Sequence, residues 1–138
     1  MIRTLAGFAA VALAACADTD ETKIQRSAGA DDIRIETPEP DARLASPLRA
    51  SGVADNDWYF EAVFPARLVA RDGALIAEAP AVAASDWMAE GAVPFNVEMA
   101  FTVEQETPAT LVLEEDMPGD NREPRHVRIP VVLLPDAQ

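Results

Sequence analysis

The stretch WYFEAVFPARLVARDG, residues 58–73, decides how the rest of the chain is read. Phe60, Ala62, Phe64, Ala66, Leu68 and Ala70 share one parity, and Glu61, Arg67 and Arg71 share the other. An extended chain sends successive side chains to opposite faces, so this two-residue period marks a strand with one face in a core. The stretch reads as the central strand of a β-sandwich, closed by Arg71-Asp72-Gly73. Pro65 has no amide hydrogen, which demands a bulge or a site where no partner needs that donor.

Working outward, Ile33 to Thr37 alternates briefly and stops at Pro38, as a short edge strand does. Leu48, Ala50 and Gly52 share a face of the next strand, and Gly52 marks a bulge or a close backbone approach. Asp55-Asn56-Asp57 makes a turn, because these side chains bond their own backbone. Residues 74–78 run back as a short strand. Residues 79–92 show no period; a short helix capped by Ser85 is expected there, with Trp87 and Met88 covering an end of the core. Phe95, Val97, Met99, Phe101 and Val103 alternate with polar residues in the clearest strand of the chain. Leu111 and Leu113 define another, and Val127, Ile129, Val131 and Leu133 the last. The fold class is therefore all-β: an immunoglobulin-like antiparallel β-sandwich of about seven strands over residues 33–135.

The amino terminus reads as an address. Met1-Ile2-Arg3 precedes an uncharged apolar run over residues 5–15, the layout of a signal peptide and far short of the roughly 20 residues that span a bilayer. Leu13-Ala14-Ala15-Cys16 resembles a bacterial lipobox, which implies cleavage before Cys16 and a lipid on its thiol; the alternative is an ordinary secretory signal with an incidental cysteine. Residues 1–15 are then the signal peptide and 16–32 a polar tether. In Gram-negative lipoproteins Asp directly after the cysteine favours the inner membrane. Ala17 stands there, so the resemblance points to the outer membrane, its periplasmic face before the cell surface.

Composition excludes whole classes of function. Eleven Lys and Arg against 24 Asp and Glu give a net charge of −13, which repels nucleic acid. With one cysteine and one histidine, Cys16 and His126, neither an internal disulfide nor a Cys- or His-rich zinc site can form within the chain. His126 falls on the polar side of its strand, and no serine-hydrolase elbow, phosphate loop or metalloprotease motif occurs.

Taken together, Ser46-Pro47-Leu48 with Gly52, Phe60-Glu61-Ala62 with Leu68 and Asp72-Gly73, Phe95 to Phe101, Met117-Pro118-Gly119-Asp120, and Arg128-Ile129-Pro130-Val131 follow a familiar order. This order resembles the immunoglobulin-like domain of bacterial spore germination. The resemblance covers about residues 33–134 and implies an extracytoplasmic sandwich with a binding or assembly role and no catalytic residues. Glu61 matches the family's Phe-Glu pair, and as a structural residue it would bond Arg67, Arg71 or a backbone amide.

Two features hold the candidate contacts. Asp55, Asn56 and Asp57 in one loop, and Glu114, Glu115, Asp116, Asp120 and Asn121 in another, lie at the same end of an immunoglobulin topology. Asp55, Asp57, Asp116 and Asp120 are the candidate ligands for Ca²⁺, which takes six to eight oxygens; solvated turn acids are the simpler account, and no cofactor is expected. Val63, Val69, Val112 and Val132 fall on nominally polar faces and would mark a docking surface if they cluster. Trp58 and Trp87 sit near strand ends, as lids on the core or anchors for a partner. The expected function is a lipid-anchored, non-catalytic binding or scaffolding module that contacts an envelope protein or glycan. The alternative is an acidic inhibitor or chaperone-like lipoprotein that masks a basic enzyme.

Overall fold

The computed structural model describes residues 23–119 and 122–136. Among these the chain forms β1 (Gln25–Arg26), β2 (Ile33–Thr37), β3 (Ala42–Leu44), β4 (Leu48–Asp55), β5 (Val63–Ala70), β6 (Leu75–Ala83), β7 (Ala92–Met99), β8 (Thr107–Glu114) and β9 (His126–Leu133). They join in the order β1-β9-β8-β5-β6-β7-β4-β2, with β3 also on β9. All pairings are antiparallel except that of β3, which runs parallel to β9. The fold is the expected all-β immunoglobulin type. The two strands beyond the expected seven, β1 and β3, are short pieces on the outer edge of β9.

One strand turns the sheet into a sandwich. β6 pairs with β5 along most of its length, but it reaches β7 only through Val82 and Ala83. The sheet curls there, and both halves face a single core. Phe64 of β5 meets Phe95 of β7 edge to face with ring centroids 5.2 Å apart, and Trp58 and Tyr59 pack on Phe64 in the same manner. Strict alternation supplies the rest: Val93, Phe95, Val97 and Met99 of β7 and Val127, Ile129, Val131 and Leu133 of β9 are all buried.

The opening stretch is central, as its period predicts, since β5 has neighbours on both sides. Its first five residues are not strand. Trp58 ends a 3-10 turn over Asn56–Trp58, and Glu61 and Ala62 both take positive φ, 55° and 74°. Phe60 and Val63 exchange two backbone hydrogen bonds across them, a tight turn of the hairpin kind. Phe60 is consequently 41% exposed, and neither it nor Ala62 joins the core. Pro65 is accommodated by position: it faces Pro80 on β6, and the ladder with β8 begins only at Ala66. Neither proline is asked for a donor.

Gly52 fulfils both of its expected roles. It stands opposite Ile35 beside an irregularity in β2, and a Cβ there would lie 2.1 Å from the Arg34 carbonyl oxygen. Several boundaries differ. The expected helix at Ser85 is absent; β6 runs on to Ala83, and Asp86 then forms a turn by accepting the Met88 amide at 3.0 Å. Trp87 packs against the core, while Met88 is 71% exposed and covers nothing. The clearest predicted strand starts earlier, at Ala92, and ends at Met99; buried Phe101 follows it with its amide on Ser46 Oγ. Residues 23–32 of the expected tether belong to the folded body: β1 pairs with β9, Ala30 is buried, and the Arg26 guanidinium donates to the carbonyls of Ala30 and Ile33. Residues 1–22, with the signal peptide and Cys16, lie outside the described residues.

Candidate functional site

At one end of the sandwich the chain brings its ionisable groups together. Asp32 precedes β2, Asp55 ends β4, Asp57 lies in the 3-10 turn, Glu115 follows β8, and Arg122 and Arg125 precede β9. Backbone bonds stitch these segments: the Asp55 amide donates to Asp32, the Glu115 amide to Arg125, and the Asp116 amide to Trp58, each to the carbonyl oxygen.

Glu115 is the centre of the cluster. At 3% exposure its carboxylate is buried and needs compensation. Arg122 supplies two hydrogen bonds of 2.8 Å, and Arg125 gives three more from its backbone amide, Nε and a terminal nitrogen, at 2.9 to 3.1 Å. Burial alone would raise the carboxyl; these donors outweigh it and hold the group down at about 2. Arg125 then extends to Asp32 at 2.5 Å and Asp57 at 2.9 Å, with its guanidinium 5.3 Å from the centre of the Trp58 ring. The Trp58 indole in turn donates to Asp32 at 2.8 Å. The hydrogen bonding of Arg125 to Glu115, opposed by burial and joined by Asp57 and Asp32, pushes its guanidinium above the ordinary value.

The carboxylate oxygens of Asp32, Asp55 and Asp57 lie within 4.8 Å of one another. Asp55 and Asp57 are thus brought together as expected, but with Asp32, which the sequence reading did not include. Burial, followed by the charges of Asp57 and Asp32, raises the Asp55 carboxyl. Asp116 lies outside this group and lines a cleft with Val63 and Pro65, and Asp120 lies outside the described residues. Three carboxylates reach only the lower end of the six to eight oxygens that calcium takes, and only if each binds through both of its oxygens. Two of them already bond Arg125, so an incoming ion competes with a guanidinium that belongs to the fold. The residues fit an internal ion-pair knot better than a calcium cage.

Other expectations resolve in the same region. Glu61 is exposed in its turn, and Arg67 bonds Glu114 instead. Trp58 is fully buried, a core residue and not an anchor for a partner. His126 is half-buried on β9, its amide held by Ser27 Oγ at 2.8 Å. Beside the knot a cleft of about 630 Å³ opens between Ser27, Gly29, Asp57, Arg122, Arg125 and His126. Arg122 and Arg125 were missed in the sequence although a signal existed. They are two of only 11 basic residues and follow the acidic run at 114–116 closely.

Residues 32–122 match the model of the immunoglobulin-like domain of bacterial spore germination. The chain belongs to this family. The spore-germination immunoglobulin-like domains are a non-enzymatic fold family, and the membership supports a non-catalytic binding module. The matched segment holds most of the knot, from Asp32 to Arg122, and leaves Arg125 and β9 outside. No curated protein and no solved structure matched the chain.

Proposed function

We propose that the protein is a binding or scaffolding module of the bacterial envelope, held by a lipid on Cys16 at the periplasmic face of the outer membrane and contacting another envelope protein or a glycan. The observation that carries this reading is the knot itself. Its guanidiniums and carboxylates are committed to one another, and they fix three loops around an open cleft. A pre-organised surface favours contact, because less ordering is required on binding. The anchor is supported by the charged start, the apolar run and Leu13-Ala14-Ala15-Cys16. A net charge of −13 keeps nucleic acid off the partner side.

Fractionation of cells that carry Cys16→Ser tests the anchor: the variant should leave the membrane fraction and change its mobility. A variant that still sediments with membranes removes the lipoprotein reading. Crosslinking in intact envelopes tests the partner, with a discrete adduct expected and only free chain recovered if the reading is wrong.

A further inference from the structure

The solvent face of β5 and β6 carries an apolar patch that the register builds from distant residues. Val63 stands opposite Val82 and Pro65 opposite Pro80, on the face away from buried Phe64, Ala66 and Ala81. Phe60 bridges to Val63 from the other side, so its ring shares that face. Phe60 and Val82 are 41% and 44% exposed, where a sheet face toward solvent ordinarily carries polar residues. The β8 ladder on β5 stops at Ala66, so Val63 and Pro65 have no paired β8 residue beside them. Clefts of about 350 and 460 Å³ flank Pro80 on its two sides.

The rim is acidic. Glu61 sits in the turn beside Phe60, Glu78 is the next outward residue on β6, and Asp116 lines the smaller cleft. None of the three enters an ion pair among the described residues, whereas the two nearby cations, Arg49 and Arg67, are paired with Glu98 and Glu114. We propose that this face docks an extended, cationic segment of a partner protein, with apolar side chains on the patch and Lys or Arg toward Glu61, Glu78 and Asp116. Charge complementarity selects that occupant. A second copy would bring acid against acid, and an anionic bilayer would be repelled in the same way. The inference deepens the binding-module reading and rests on it.

The test titrates the purified full chain by calorimetry with three synthetic peptides of about ten residues: alternating Val and Lys, alternating Val and Glu, and alternating Ser and Lys. Only the Val/Lys peptide should bind, more weakly as salt rises. Phe60→Ser with Val82→Ser should weaken it by about tenfold or more. Glu78→Gln with Asp116→Asn should weaken it and flatten the salt dependence. Leu75→Ser, at the far end of β6 and 53% exposed, should leave it unchanged. Thermal melts of each variant establish that it folds. Equal binding of the three peptides, no binding by Val/Lys, an equal loss in Leu75→Ser, or self-association through the patch overturns the proposal. Because the titration does not involve the membrane, it fails or succeeds independently of the Cys16 fractionation.

Discussion

Arg125 has more bonding partners than its place in the sequence suggests. It bonds Asp32, Asp57 and Glu115 and lies against Trp58, so one side chain ties three segments to the core. Arg125→Ala leaves Glu115 buried with the Arg122 pair and the backbone amide of residue 125, and we expect a loss of about 3 kcal/mol in urea unfolding. Glu115 sets a matching pH dependence. Its folded value, about 2, lies below the ordinary 4.5, so the unfolded chain binds more protons between these values. The stabilisation is complete above about pH 4.5 and is lost as pH falls toward 2, a difference of about 3 kcal/mol. Glu115→Gln should flatten unfolding free energies measured across that window; an unchanged slope would assign the acid sensitivity to other carboxylates. The role of Glu115 was not legible in the sequence, because the acids of 114–116 read equally well as solvated.

At the scale of elements, periodicity located β4, β7, β8 and β9 because each has one buried face and one exposed face. It misplaced the start of β5. Phe60 and Ala62 keep the parity of the strand, yet Glu61 and Ala62 turn the chain with positive φ, for which neither residue has a preference. Glu61→Asn with Ala62→Gly supplies the residues that such a turn favours, and should raise stability by about 1 kcal/mol or more. A lower melting temperature would show that the native side chains contribute contacts outweighing the backbone cost. Parity also misled at Val112. It belongs to the nominally polar face but is buried, standing between Arg67 on β5 and Arg128 on β9, whose long stems can cover it. The four valines thus do not form the surface they suggested; only Val63 belongs to the patch, with partners from a strand that had no clear period.

For the whole molecule, the curl of β6 makes one core from two halves of a sheet, and buried residues from both halves form a single cluster. Unfolding should therefore be cooperative, with near- and far-ultraviolet dichroism melting together; separate transitions would mean that the halves are independent. The amino-acid sequence by itself determined the all-β class, the central position of the 58–73 stretch, the strand faces and the close approach at Gly52, because these follow from local periodicity and backbone sterics. Tertiary structure alone decided that residues 23–32 join the folded body, that β6 bridges its halves, and that Arg122 and Arg125 gather on Glu115, with Arg125 also taking Asp57, one of the acids expected to hold a cation. Those outcomes depend on which distant residues become neighbours, and a two-residue period carries no information about pairing across the chain.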